Sequence, residues 1–244
     1  MKTDDAAPGL RWSRVLLKVS GEALMGSRAF GIDQGVLDRI AGEIAEAVRL
    51  GARVGVVVGG GNFVRGAKIA AEGGDRVAGD HMGMLATVMN CLALKAALTR
   101  IDVPSVVLSA LVVPAICETF TQRAAIENID AGRVVLFAGG TGNPFFTTDS
   151  GAALRAAELG CDALLKGTSV DGIYSADPKT DPDAVRYERL THQEVLARGL
   201  AVMDAAAIAL ARDNAIPVIV FSIKEPGAFV DVLQGNGRST VVTG

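Results

Sequence analysis

The sequence predicts an α/β protein, a three-layer α/β/α sandwich around a mainly parallel central sheet. Short, nearly continuous apolar runs alternate with helical patterns through most of its 244 residues. Strands that are apolar on both faces belong to parallel sheets covered by helices on each side. Half of the residues are hydrophobic, enough for one large core.

The elements follow in chain order. "RVLLKVSGEA" reads as a first strand ending at Ser20 and Gly21. Asp33 is a candidate N-cap for a helix that places Leu37, Ile40, Ile44 and Val48 on one face and stops at Gly51. "RVGVVVGGG" completes a βαβ unit. A helix from about Asp80 to Thr99 precedes the strand "PSVVLSA", and "RVVLFAGG" follows the polar segment Thr121 to Asp130. The helix "DSGAALRAAELG" leads into the strand "DALLKGT". The pattern then changes: "SVDGIYSADPKTDPDAVRYERLT" is rich in Asp, Pro and Gly and reads as a hairpin plus an excursion. Next come the helix "VMDAAAIALARDN", the strand "IPVIVFS", the helix "PGAFVDVLQG" and an edge strand, "STVVTG". We read one domain over 1–244, with an N-terminal lobe at about 14–165 and a C-terminal lobe at about 166–244. The lobes share one sheet, and the cleft between them is the expected site.

Composition excludes several function classes. A net charge of −3 argues against a surface built for a nucleic-acid backbone. Mean hydropathy is +0.35, but the longest uncharged stretches, such as Val103 to Cys117, contain proline and fall short of the roughly 20 apolar residues of a membrane span. The polar, acidic start has no apolar leader and suggests a cytoplasmic protein. Cys91, Cys117 and Cys161 are widely spaced and read as buried reduced thiols, and two histidines do not make a zinc site.

Ligands of open parallel sheets lie beyond the carboxyl ends of the strands. Four such ends share one chemistry: "KVSGE" (18–22), "GGGNFVRG" (59–66), "AGGTGNPFFTTDS" (138–150) and "LKGTSVDG" (165–172). Each combines glycine with a cation or hydroxyl, which suits a phosphate held by backbone N–H groups and helix N-termini. Gly61 to Gly66 has the spacing of a P-loop, but Ala67 stands where that motif needs lysine, so this is not a Walker site. Lys18 lies in an apolar strand and either reaches an anion beyond the strand end or snorkels from an edge. Arg65 could be a rim charge, Lys166 could pair with Asp162 or Asp171, and Asp149 and Asp80 could each merely cap a helix. Met82, Met84 and Met89 read as core or subunit interface. Thr141, Asn143, Thr147 and Thr148 are more polar groups than a simple turn needs, which favours recognition of a base or sugar.

"LLKVSGEAL", "GGGNFVRGA", "GDHMGMLATVMN", "GTGNPFFTTDS", "LKGTSVDGIYSADP" and "VMDAAAIALARDN" together resemble the bacterial UMP kinases of the amino acid kinase superfamily, from about Arg14 to the C-terminus. "GNPFFTTD" and "GDHMGMLATVMN" are the most specific parts. The resemblance implies the carbamate kinase-like fold and the reaction ATP + UMP → ADP + UDP with Mg²⁺, in pyrimidine nucleotide biosynthesis. It further implies a homohexamer activated by GTP and inhibited by UTP. By the same resemblance Lys18, Arg65, Asp149 and Lys166 are catalytic, with Asp149 positioning the lysines. ATP would be met by Lys18, Val19, Ser20, Gly21, Gly61, Arg65, Thr168, Tyr174, Asp177 and Asp204. UMP would be met by Gly60, Asp80, Thr141, Gly142, Asn143, Pro144, Phe145, Phe146, Thr147 and Thr148. Effectors would act near the early loop Gly26, Ser27, Arg28, Ala29, Phe30 and Gly31, and near Lys95 and Thr99. Two rival readings remain open here. One is a kinase of the same superfamily acting on acetylglutamate, glutamate or carbamate. The other is a non-catalytic nucleotide- or oxyanion-binding protein.

Overall fold

The computed structural model describes residues 9–64, 71, 73–178, 180–200 and 202–244. In chain order these form β1 (Arg14–Val19), a 3-10 turn (Gly21–Met25), α1 (Gln34–Arg49), β2 (Arg53–Val58), α2 (Arg76–Arg100), β3 (Ser105–Ser109), β4 (Glu118–Thr119), α3 (Gln122–Asp130), β5 (Val134–Ala138) and α4 (Thr148–Glu158). There follow β6 (Ala163–Thr168), β7 (Ile173–Tyr174), β8 (Arg186–Tyr187), β9 (Arg189–Thr191), α5 (His192–Arg198), α6 (Ala205–Asp213), β10 (Val218–Ser222), α7 (Ala228–Leu233) and β11 (Ser239–Thr243).

Nine strands make one sheet in the order β4-β3-β5-β2-β1-β6-β10-β11-β9, parallel except for the β10/β11 pair. β6 pairs with both β1 and β10, so the sheet runs unbroken across residue 165. β7 and β8 form the expected small antiparallel hairpin. Strand periodicity sends successive side chains to opposite faces. Val15, Leu17 and Val19 of β1 therefore join one core with Ile40 and Ile44 of α1, Leu94 of α2 and Phe229 of α7. Leu16 joins the other core with Ile129 of α3, Ala152 and Ala156 of α4, and Ile208 of α6. Each fully buried Leu or Ile contributes about 1.5–3 kcal/mol, and those of both cores tie the helices to the sheet.

Four sequence expectations change. The helix read as starting near Asp80 begins at Arg76, and Asp75, not Asp80, is its N-cap, accepting from the Val77 N–H. "STVVTG" is not the edge: β11 lies between β10 and β9, and the three-residue β9, too short to carry a strand signal, takes the edge. Lys18 is on no edge either, because β1 is the central strand and the residue is 6% exposed. α2 is also long and apolar enough by composition alone to cross a membrane, with a mean hydropathy of 1.4. A scan for uncharged runs overlooks it because Arg76, Asp80 and Lys95 punctuate it. Half of it is buried in the fold, as in the core helix of a globular protein.

Candidate active site

Lys18 and Lys166 are register partners on the adjacent parallel strands β1 and β6. They continue the faces of Leu16 and Leu164, so both side chains rise on the side covered by α4. Two ammonium groups forced together in a dry place need an anion between them. Asp149 supplies it: Oδ1 is 2.7 Å from Lys18 Nζ and Oδ2 is 2.8 Å from Lys166 Nζ. Neither Asp162 nor Asp171 pairs with Lys166; the first accepts from the Ser13 and Arg14 N–H groups, and the second binds Arg238 and the Tyr174 hydroxyl. Asp149 does not cap its helix. Thr147 is the N-cap of α4, accepting from the Asp149 N–H, and leaves the carboxylate free for the lysines in the first turn, where the helix dipole favours negative charge.

Burial by itself pushes the Asp149 carboxyl up, but the Lys18 and Lys166 charges outweigh it and hold the group below the ordinary carboxylate value. Lys166 lies below the ordinary lysine value: burial pushes it down, Asp149 resists and the Lys18 charge adds to the fall. Its ammonium also donates to the Val202 carbonyl.

Two cavities lie beside this ion cluster. The smaller, about 110 Å³, is lined by Gly60, Val64, Gly79, Asp80, Gly83, Met84, Thr87, Gly140, Thr141, Phe146, Thr147 and Thr148. The larger, about 570 Å³, is lined by Lys166, Thr168 and Val220, by the hairpin from Ser169 through Tyr174 to Pro178, and by Arg198, Leu200 and Val202. Thr148 belongs to the first wall and Lys166 to the second, with Asp149 joining them.

The structure brings together Gly60, Asp80, Thr141, Phe146, Thr147 and Thr148 around the smaller cavity and Lys166, Thr168, Tyr174 and Asp177 around the larger. Gly142, Asn143, Pro144 and Phe145 are not among the residues lining the smaller cavity; Asn143 turns back on Thr141, its side-chain amide donating to the Thr141 carbonyl at 3.4 Å. Asp204 lines neither cavity. It caps α6 by accepting from the Ala207 N–H, and also accepts from the Thr147 and Ser150 hydroxyls, tying α6 to α4. Ser20 caps the 3-10 turn through the Ala23 N–H, and the Val19 carbonyl accepts from Gly59. Arg65 lies outside the described residues. Lys95 lines a third cavity of about 580 Å³ with residues 106, 107 and 114–119. Thr99 bonds back to the Lys95 carbonyl. The early loop packs elsewhere, the Gly31 N–H donating to Asn62 O and Phe30 meeting Phe63 edge-on at 5.3 Å.

Two of the glycines prove to face protein backbone. A Cβ on Gly60 would lie 2.4 Å from Gly83 O of α2, and one on Gly21 would lie 2.4 Å from Gly59 O. Those two are required because backbone packs on backbone. At Gly61 the closest described atom would be 3.5 Å away, so there the bare backbone leaves room. Sequence reading missed Thr87, Gly79 and Gly83. Two glycines four apart inside a helix, where each costs about 1 kcal/mol relative to Ala, were the available signal. It also missed the buried pair Asn62 and Asn90, whose amides bond to each other at 3.0 and 2.8 Å and to the Gly31 and Gly59 carbonyls, holding the glycine loop on α2.

Burial pushes the Cys91 and Cys161 thiols up to about 12, in keeping with inert core residues, and Cys117 is half-buried.

A buried anion tying two strand-end cations beneath a pair of cavities suits transfer of a phosphoryl group between two bound molecules. Residues 13–222 match the amino acid kinase family, and the chain belongs to it. Within that family the likeness is to uridylate kinases. The chain is 66% identical to the uridylate kinase of Rhizobium meliloti over 95% of its own length and 97% of the relative's. It is 67% identical to that of Brucella abortus over the same shares. Among solved structures, UMP kinase from Ureaplasma parvum superposes with a TM-score of 0.90 at 38% identity, covering 96% of this chain and all of that one. UMP kinase from Bacillus anthracis gives 0.91 at 36% identity over 95% and 96%.

Proposed function

We propose that this chain is a UMP kinase that transfers the γ-phosphoryl group of ATP to UMP, giving ADP and UDP for pyrimidine nucleotide synthesis in the cytoplasm. The observation that carries the reading is the Lys18–Asp149–Lys166 cluster beside the two cavities. UMP takes the smaller, hydroxyl-rich cavity and ATP the larger one beneath the hairpin, so that the N-terminal part to about residue 165 serves the acceptor and the rest serves the donor.

The acceptor is a phosphate monoester, largely dianionic near neutral pH, so no side chain has to remove a proton to make the nucleophile. An oxygen of the UMP phosphate attacks the γ-phosphorus, the bond to the β,γ-bridging oxygen breaks, and ADP carries away the electron pair. The barrier lies in bringing two polyanions together and stabilising charge on the transferring group. Lys18 and Lys166 supply that stabilisation. Asp149 fixes both ammonium groups without touching phosphate, and Arg65 is placed on the same phosphates by resemblance.

Among the described residues no three His, Cys, Asp or Glu side chains converge on one point, and Asp149 is committed to its lysines. Mg²⁺ would be held by the phosphates of ATP, keeping several waters, as this ion commonly is. When bound, it neutralises phosphate charge.

The reading extends to GTP activation and UTP inhibition, with Lys95 and the early loop as candidate effector contacts, and to a homohexamer. The exposed apolar residues Met82, Leu85 and Met89 on α2 support an oligomer. ADP release with Mg-ATP tests the reading, with UMP, CMP, dUMP, AMP, acetylglutamate, glutamate and carbamate as parallel acceptors. Selective turnover of UMP is expected. Turnover of a carboxylate or carbamate instead, or tight nucleotide binding without turnover, would overturn it. A flat velocity response to GTP at subsaturating UMP would remove the activation.

A further inference from the structure

We propose that Arg76 is a positioning residue for the nucleoside monophosphate, acting through Asp80; this rests on the UMP kinase reading and deepens it. Asp80 is the one carboxylate among the described residues lining the smaller cavity, and its side chain is 13% exposed. A carboxylate repels phosphate, so the groups it takes from a nucleotide are neutral hydrogen-bond donors, such as sugar hydroxyls. For that, its oxygens must be aimed. Arg76, one turn earlier on α2, places Nε 2.9 and 2.8 Å from the two Asp80 oxygens. The Phe145 N–H, from the loop between β5 and α4, donates to Oδ2 at 2.8 Å. Two N–H groups thus engage the carboxylate, that of Arg76 Nε shared between both oxygens, which fixes its plane and leaves acceptor capacity for a ligand donor.

The same contacts hold the loop. Phe145 has φ +71°, uncommon for a bulky residue; the residue is 66% exposed, with the Arg76 guanidinium 5.5 Å from its ring centroid. Its neighbour Phe146 lines the cavity. Arg76 and Asp80 thus set both the aim of the carboxylate and the seat of the loop that closes this wall. Arg76 itself does not line the cavity, so it acts at one remove.

Steady-state kinetics of the full chain tests this with two variants. Arg76→Ala is expected to raise the KM for UMP about 10-fold while kcat and the KM for ATP stay within about 2-fold, the pattern of lost ground-state binding on one side only. Arg76→Lys, which keeps a cation able to reach one oxygen, is expected to recover part of the loss. An unchanged KM for UMP in Arg76→Ala overturns the proposal, as does a parallel loss of kcat and both KM values. If the parent fails to turn over UMP, the kinase reading fails. Calorimetric titration of UMP into parent and Arg76→Ala then decides the positioning role separately, an affinity loss of about 10-fold supporting it and equal affinity refuting it.

Discussion

The two cavities share one ion cluster but are built by opposite means. The wall of the smaller one is backbone and hydroxyl: Gly60, Gly79, Gly83 and Gly140 keep side chains out, while Thr87, Thr141, Thr147 and Thr148 surround the space. Much of that polarity is already spent internally. Thr87 accepts from the Gly139 N–H and donates to Met84 O, and Thr147 caps α4. The larger cavity has more side chain in its wall, with Val170, Leu200, Val202 and Val220 beside the hairpin residues Ile173 and Tyr174. A pocket made of packed backbone tolerates little change and selects by fit, whereas an apolar slot beneath a hairpin gains affinity from area. With UMP in the smaller cavity and ATP in the larger, as proposed, substitutions on the acceptor side are expected to read out in stability and specificity, and those on the donor side in the KM for ATP.

The largest effect belongs to the cluster both sides share. Lys166→Ala is expected to lower kcat about 10³-fold, the loss typical of removing a preorganised charge from a developing anion, measured under saturating substrates. Asp149→Asn leaves two buried ammonium groups without their anion and is expected to cost about 3 kcal/mol of stability by denaturant titration. Its pH dependence has a definite sign. The Asp149 carboxyl is held below its unfolded value, so its contribution is present above about pH 4 and disappears as pH falls through the folded value. The parent should lose stability on acidification more steeply than Asp149→Asn.

On the donor side, Leu200→Ala is expected to raise the KM for ATP about 10-fold and leave that for UMP unchanged. An equal rise in both would erase the distinction between the cavities. The smallest effect is an alkaline one. Lys166 lies below the ordinary lysine range, so kcat/KM for UMP should begin to fall below about pH 10.4, and Lys166→Arg should shift that limb upward if the variant retains activity.

The sequence showed where the strands end but not which strands adjoin. Apolar runs and caps placed β1, β2, β5 and β6, and with them all four glycine-rich ends. Strand order is a long-range property, so the centrality of Lys18 and its register with Lys166 were not legible, and an edge position stayed open. Asp149 was recognisable as important, yet its partners depended on α4 crossing above β1 and β6. Asp75 and Asp80 both precede apolar helical pattern, and only cap geometry separates them. The reciprocal Asn62 and Asn90 amides come from segments 28 residues apart and left no local pattern to find.

The central claim is that the lysines joined by Asp149 act on the phosphoryl group in transit rather than on binding. Single-turnover transfer from Mg-ATP to UMP, comparing the parent with Lys18→Ala at saturating concentrations of both nucleotides, tests it directly. The account predicts a chemical rate lower by about 10²–10³-fold with UMP affinity within about 3-fold of the parent. An unchanged chemical rate, or a loss confined to nucleotide affinity, would contradict it.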